Sequence, residues 1–262
     1  MRVPTLQIER FRASERGLTA LLVSLTVGLF VVRPFESVGY ELPLLNSMVF
    51  TGILLSGIVT VSRSRPLMLL FTVVAVASGM VHWARYTPFG ADWVSTDAIA
   101  SFVACGTLGA IVLVEVLREG PITSQRIQGA IAAYLLIALM FAAAYTWIDV
   151  NVPSAFAGAA APFALQRDPL GRFAYFSFVT LTTVGYGDIV PQTAFARALA
   201  VLEALIGQLF PAILLARLVS MELYYRQRRF EREQAALDRE ELAREVARVL
   251  REGGGREDSK SG

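Results

Sequence analysis

Long apolar runs constrain this chain more than any other feature of its sequence, since about 20 apolar residues are needed for one helical crossing of a membrane. Hydrophobic residues make up 55% of the 262 residues, more than is usual for a water-soluble domain. The runs are interrupted by proline, glycine and arginine, as expected of turns between spans. The sequence therefore predicts six membrane-spanning helices, at residues 18–32, 44–61, 67–83, 98–117, 127–148 and 194–218.

The distribution of arginine predicts the orientation of these spans. Arginine is enriched before the first run, in the second and fourth connections and after the last run, whereas the other connections carry more acidic residues. Cytoplasmic loops of membrane proteins carry an excess of Lys and Arg. We therefore expect a multi-pass protein of the cell membrane with a cytoplasmic N-terminal segment, residues 1–17, and a cytoplasmic C terminus.

Composition argues against several other classes of protein. The formal net charge of +2 is too small to indicate a nucleic-acid partner. The single cysteine, Cys105, lies in an apolar run and is expected to pack as a small hydrophobe. With one histidine, one cysteine and no nucleophile constellation, the chain offers nothing typical of an enzyme, and no cofactor is expected.

The segment between the fifth and sixth runs contains an apolar stretch, residues 173–181, that is too short to cross a membrane. Such a stretch placed between two spans is typical of a re-entrant helix. The non-helical backbone that follows can persist at membrane depth only where it is buried in protein or lines a wet cavity. The pattern predicts a pore, with a pore helix at 172–182 inside a pore domain of residues 127–220.

The residues that follow this stretch, TTVGYGD at positions 182–188, resemble the selectivity filter of the potassium channel superfamily. In that family a dehydrated potassium ion is coordinated by rings of backbone carbonyls, to which four chains contribute. Successive carbonyls point the same way only if alternate residues adopt left-handed backbone angles, which glycine does at little cost. Gly185 and Gly187 fit this requirement. The resemblance implies a homotetramer in the lipid bilayer that conducts potassium passively.

The resemblance also assigns roles to individual residues. It places the ion-binding filter at Thr183, Val184, Gly185, Tyr186 and Gly187, with potassium held at the first four of them. Thr182 and Asp188 are expected to support the filter from either side. The C-terminal end of the pore helix should point toward the ion path, where its dipole favours a cation.

The last predicted span contains three residues that are unusual for a membrane helix. Gly207 and Pro211 weaken a helix locally, and they are candidates either for a hinge that sets an inner gate or for close helix packing. Glu203 is an intramembrane carboxylate, which marks a functional site by default. We expect it behind the filter, near Ser177 or Thr180, as either a structural hydrogen-bond partner or a proton sensor.

The regions on either side of the pore domain are less informative. Residues 18–117 form a four-helix peripheral domain, and the run at 98–117 contains no arginine or lysine, so conventional voltage sensing is not expected. Residues 221–252 predict a cytoplasmic helix, either a four-stranded coiled coil or a solvated amphipathic helix, followed by a disordered tail at 253–262. The alternatives to potassium conduction are a less selective cation channel and a non-conducting membrane scaffold.

Overall fold

In a computed structural model of the protein, the described residues are 17–32, 43–61, 65–84, 93–118, 123–158 and 169–257. Within these ranges the chain is almost entirely helical. The helices are α1 (Gly17–Val32), α2 (Pro43–Thr60), α3 (Arg65–Ala84), α4 (Val94–Val116), α5 (Ser124–Asn151), α6 (Pro169–Leu181) and α7 (Ala194–Glu257), and two short strands are β1 (Phe156–Ala157) and β2 (Val190–Pro191). The predicted cytoplasmic segment before residue 17 lies outside the described residues.

The first four helices form a packed group beside α5. α4 is central, since it packs along α5 and also contacts α3, while α2 contacts α3. Small residues allow the close approach: a Cβ added to Gly57 of α2 would lie 2.8 Å from the ring of Phe71 and 2.9 Å from Leu108. The separate four-helix peripheral domain stays a prediction, since these helices and the pore segment up to residue 215 fall in one compact unit.

A buried histidine–aspartate pair joins α3 to α4. His82 Nδ1 lies 3.1 Å from Asp97 Oδ1, and the two side chains are 2% and 4% exposed. The ring of Phe50 in α2 lies over the imidazole, with 4.4 Å between the ring centroids. Asp97 lies in the first turn of α4, which begins four residues before the predicted span. The sequence had therefore predicted this carboxylate in the connection before the span rather than in the helix.

The pore helix α6 is fixed against α5 by an aromatic cluster centred on Tyr145. Its ring lies 5.0 Å from that of Phe176 and 6.3 Å from that of Phe173, and Phe156 of β1 packs edge-on at 5.7 Å. Tyr145 and Phe173 are fully buried. Aromatic pairs at these separations add specific geometry to the area that they bury, so this cluster sets where α6 lies.

The number of spans agrees in part with the prediction. Among the described residues, four helical stretches are long and apolar enough to cross a membrane, namely Arg65–Ala84, Val94–Val116, Ser124–Asn151 and Ala194–Glu240. Two further apolar helices, Gly17–Val32 and Leu45–Thr60, are shorter. The all-α membrane fold is consistent with the structure, and six spans remain a prediction.

α7 continues beyond the last predicted span as one helix of 64 residues. The sequence predicted a helix to residue 252 and disorder from 253, but the helix extends through three consecutive glycines to Glu257. Propagating an existing helix fixes one residue for each new hydrogen bond, whereas nucleation must fix several, so glycines can extend a helix that they would not start. The rest of the predicted disordered tail, residues 258–262, lies outside the described residues.

The helical segment after residue 215 is stabilised locally by ion pairs one turn apart. Arg226 lies 2.9 Å from Glu222, and Arg244 lies 3.8 Å from Glu240. Such exposed pairs are each worth only about 0.3–0.5 kcal/mol. Leu223, Phe230 and Leu237 are exposed on this segment, as both the coiled-coil and the amphipathic-helix predictions require.

Candidate functional site

The pore helix ends in a hydrogen-bonded motif that leads directly into the predicted filter. The amide of Val184 donates to the carbonyl of Val179 at 3.0 Å, and that of Thr183 donates to Thr180 at 2.9 Å. These two bonds define a Schellman helix end, in which the residue at the turn normally adopts a left-handed conformation. Gly185 also donates to Val179, at 3.2 Å, so the start of the filter is tied to the last turn of α6.

Alternate residues of the filter have positive φ angles. Thr183 has φ of 60°, Gly185 of 56° and Gly187 of 78°. The two glycines were expected in this conformation, but Thr183 was not, because a β-branched residue in the left-handed region is rare. An added Cβ at Gly185 or Gly187 would meet nothing within 4 Å in the chain. Glycine is therefore required at these positions by backbone conformation, and the left-handed alternation begins one step earlier than the sequence indicated.

Side chains beside the filter brace its outer end. Tyr175 of α6 donates from its hydroxyl to Asp188 Oδ2 at 2.7 Å, and its ring stacks on that of Tyr186 with 6.5 Å between centroids. Desolvation, followed by this hydrogen bond to Asp188, raises the pKa of Tyr175 from 10.0 to about 12, so the phenol remains a donor at neutral pH. Asp188 Oδ1 accepts from the amide of Ile189 at 3.0 Å. The carboxylate thus lies behind the filter mouth.

A two-stranded sheet closes the outer side of the pore loop. Phe156 pairs with Pro191 and Ala157 with Val190, so the chain leaving α5 is joined to the chain leaving the filter. Gly158 has φ of 89°, and an added Cβ would collide with the carbonyl oxygen of Asp188. The pairing holds Asp188 between the sheet and α6.

The inner end of the pore helix is held by α5 and α7 at one backbone carbonyl. Tyr134 of α5 donates from its hydroxyl to the carbonyl oxygen of Leu181 at 3.3 Å. From the other side, an added Cβ on Gly207 would collide with that oxygen and would lie 2.7 Å from the carbonyl carbon. This close approach supports the packing interpretation of Gly207. Pro211 lies inside α7 four residues later and has no amide hydrogen to donate to the carbonyl of Gly207, so α7 has a weak point next to the end of α6.

Glu203 is fully buried between α5, α6 and α7. Its Oε2 accepts a hydrogen bond from the Tyr145 hydroxyl at 2.6 Å, and its Oε1 contacts the hydroxyl of Ser177. Ser177 Oγ also lies 2.7 Å from the carbonyl oxygen of Ala138. Of the two neighbours expected from sequence, Ser177 is therefore a direct partner, while Tyr145 was not foreseen.

Comparison with known proteins gives the family. A family model described as an ion channel matches residues 133–223. Protein LctB of Bacillus caldotenax is 30% identical over 124 residues, which are 46% of this chain and 90% of that protein. Two pore potassium channel c of Oryza sativa subsp. japonica is 38% identical over 91 residues, 35% of this chain. The chain belongs to the same family as Protein LctB.

The match to the plant channels covers only part of them. The chain spans 20% of the length of the rice channel and 16% of Two-pore potassium channel 4 of Arabidopsis thaliana, with which it is 50% identical over 46 residues, 18% of this chain. No solved structure gives a significant match. The ion-channel match supports the resemblance to potassium channels in its coarser form, an ion channel, and is consistent with a transport role rather than an enzyme.

Sequence reasoning missed the tyrosines that hold the channel's pore loop. Tyr134, Tyr145 and Tyr175 each donate a hydrogen bond to the filter, its helix or Glu203. A buried tyrosine hydroxyl needs a hydrogen-bond partner, and the buried carboxyl group of Glu203 needs donors. This complementarity is the signal from which sequence reasoning could have predicted the contact between Tyr145 and Glu203.

Proposed function

We propose that this protein conducts potassium passively and selectively across the cell membrane, with four copies of the chain forming one pore. The observation that carries the proposal is the alternation of positive φ at Thr183, Gly185 and Gly187, directly after the capped end of α6. A backbone that alternates in this way can direct successive carbonyl oxygens to one side. Rings of such oxygens replace the hydration shell of a potassium ion.

Four copies are proposed because one chain supplies only one side of the ion path. Residues 182–188 are all exposed in the single chain, and Tyr186 is 70% exposed. Irregular backbone at membrane depth cannot face lipid, since its polar groups would lack hydrogen-bond partners. Enclosure by symmetry-related copies of the same segment satisfies this requirement, and a closed cyclic assembly is the usual way to achieve it.

Within this pore each filter residue has a defined part. Thr183, Val184, Gly185 and Tyr186 contribute the oxygens that bind potassium, and the hydroxyl of Thr183 adds to the innermost site. Thr182 hydrogen-bonds back to Phe178 at 2.6 Å, and Asp188 to Tyr175, so both support the filter from outside the ion path. The C-terminal end of α6 faces the path, where its dipole favours a cation.

The peripheral helices are proposed to complete a six-span subunit with both termini in the cytoplasm and without a conventional voltage sensor. Steep voltage dependence requires about 3–4 gating charges per subunit. α4 has the sequence VSTDAIASFVACGTLGAIVLVEV, which contains no arginine or lysine. Opening should therefore depend only weakly on voltage, and the gate is proposed to involve the weak point of α7 at Gly207 and Pro211.

The proposal is tested by ion flux into liposomes that contain the purified protein. We expect potassium flux to exceed sodium flux clearly, and we expect this preference to fall in Gly187→Ala, because alanine at a left-handed position is strained by about 1–2 kcal/mol. Gly79→Ala in α3 is the matched control, since its added Cβ would lie at 3.7 Å from Leu54, an ordinary contact distance. Its selectivity should equal that of the unmodified protein.

Each alternative function predicts a different result in the same experiment. Equal sodium and potassium fluxes would indicate a less selective cation channel, whereas a folded tetramer with no flux at any voltage or pH would indicate a scaffold. A folded protein that stays monomeric under all conditions would contradict the pore itself.

A further inference from the structure

Three hydrogen bonds meet in the buried space between α5, α6 and α7, and the two hydroxyl groups there cannot supply all of them. Tyr145 donates to Glu203, while Ser177 Oγ is within hydrogen-bond distance of both Glu203 and the carbonyl of Ala138. Each hydroxyl carries one hydrogen, and a carbonyl or an ionised carboxylate carries none. The third hydrogen must therefore belong to the carboxyl group of Glu203.

We propose that Glu203 is a positioning residue that works as a neutral carboxylic acid. Its proton completes a hydrogen-bonded junction of three helices and thereby holds the pore helix in the conducting position. This role rests on the proposed potassium conduction. In this arrangement the carboxyl group donates to Ser177 Oγ and accepts from Tyr145, while Ser177 donates to Ala138. One side chain of α7 thereby links α6 to α5. Glu203, Ser177 and Tyr145 are each 0% exposed, so water does not substitute for any of the bonds.

Loss of the proton would break the junction at one defined place. An ionised Glu203 can only accept, so the single hydrogen of Ser177 would turn to the carboxylate and leave the carbonyl of Ala138. The direct link between α6 and α5 at this level would then be lost. A buried carboxylate without a cationic partner is also strongly unfavourable, which favours movement of α7 or entry of water.

Within the part of the chain that the structure describes, no positively charged group faces Glu203. From α5 the titratable neighbours are Tyr145 and Tyr134, and from α6 the facing polar group is Ser177, which does not titrate. None of the ion pairs found among the described residues involves Glu203. The state of the junction is therefore decided by the carboxyl proton.

The junction lies close enough to the filter to affect conduction. Ser177 is one helical turn before Leu181, the last residue of α6. Val179, two residues after Ser177, accepts the amide bonds of Val184 and Gly185 that fix the start of the filter. A shift of α6 at Ser177 would consequently change the spacing of the filter oxygens.

Glu203→Gln is the variant that separates a neutral acid from an ionised one. The glutamine amide can donate to Ser177 and accept from Tyr145, as the neutral carboxyl group does, but it cannot lose a proton. In liposomes, we expect potassium flux of the unmodified protein to fall from neutral to mildly alkaline pH, and we expect Glu203→Gln to keep the neutral-pH flux at all these values. Glu203→Ala leaves the buried Tyr145 hydroxyl without its acceptor and removes the group that donates to Ser177, so it should lower neutral-pH flux by about tenfold.

Glu115→Gln is the matched control, because it removes a carboxylate from a partly exposed site near the end of α4 and should keep the alkaline decline. Infrared spectroscopy provides a readout that needs no conduction: the carbonyl band of a buried carboxylic acid should be present in the unmodified protein and absent in Glu203→Gln. The proposal is overturned by absence of that band, by an unchanged alkaline decline in Glu203→Gln, or by loss of neutral-pH flux in the folded variant. If the unmodified protein conducts no potassium, the proposed function fails, and the infrared band still decides whether Glu203 carries a proton.

Discussion

Replacing Gly207 by alanine tests whether α7 is positioned by its contact with the end of the pore helix. An added Cβ would collide with the carbonyl oxygen of Leu181 and would lie 2.7 Å from the carbonyl carbon, about 0.7 Å short of the 3.4 Å at which ordinary contact begins. All of these neighbouring atoms belong to backbone, which cannot rotate away. Either α7 or the last turn of α6 has to move.

The expected change in unfolding free energy is obtained by comparing Gly207 with a glycine whose added Cβ would make only ordinary contacts. Overpacking of this kind destabilises a protein by about 1–3 kcal/mol, whereas a glycine-to-alanine change in an unobstructed helix stabilises it by up to about 1 kcal/mol. Gly79→Ala in α3 has ordinary contact distances and gives the second effect alone. The difference in unfolding free energy between the two variants therefore isolates the overpacking cost, about 1–3 kcal/mol.

The assay is chemical unfolding of each variant in the same detergent, followed by potassium and sodium flux in liposomes. We expect Gly207→Ala to be less stable than Gly79→Ala and also less selective, because displacement of Leu181 moves Thr183. If Gly207→Ala is as stable as Gly79→Ala but opens less, Gly207 acts as a hinge and the packing explanation is refuted.

Three further predictions concern the filter and the peripheral helices. Thr183→Gly should relieve a backbone strain of about 1–3 kcal/mol in the left-handed region, so it should raise thermal stability while it lowers selectivity. Thr182→Gly is the control: it loses the hydrogen bond to Phe178 and should lower thermal stability. Tyr175→Phe should destabilise the pore loop by about 1 kcal/mol. Because the pKa of Tyr175 is raised from 10.0 to about 12, its contribution to the free energy of unfolding is complete below pH 10.0 and is lost as the pH rises through about 12. A plot of unfolding free energy against pH should therefore show this alkaline decrease in the unmodified protein and lack it in Tyr175→Phe. His82→Ala should cost about 1–3 kcal/mol by removing a hydrogen bond to the buried Asp97, and in a double-mutant cycle His82→Leu with Asp97→Leu should lose less than the single changes summed.

Features that depend on local sequence could be predicted well. The apolar runs predicted the helices, because a membrane span must satisfy its backbone hydrogen bonds internally. The short run before TTVGYGD predicted α6, although the observed helix begins at Pro169, three residues before the predicted start. Gly185 and Gly187 were recognised because left-handed backbone has a known residue preference. In each case the signal lies within a few residues of the feature.

Features that depend on contacts between distant segments were missed. Tyr145 and Glu203 are 58 residues apart in sequence, and nothing near either residue indicates the other. The same is true of Tyr134 and the carbonyl of Leu181, 47 residues apart. The pairing of Phe156 with Pro191 in the two-stranded sheet is a long-range contact of the same kind. Thr183 is a local failure, since its preference as a β-branched residue opposes the conformation that the helix end imposes.

The buried pair His82–Asp97 limits how the peripheral helices can act on the pore. Leaving a buried hydrogen-bonding group without its partner costs about 1–3 kcal/mol, so sliding α3 past α4 far enough to separate these side chains is comparably unfavourable. α4 carries no arginine or lysine whose movement in the membrane field could supply that energy. α3 and α4 should therefore move as one body, and since α4 packs along α5, the route by which they can influence conduction is displacement of α5. That helix carries both Tyr134 and Tyr145, so its displacement would reach the filter through the carbonyl of Leu181 and the carboxyl group of Glu203.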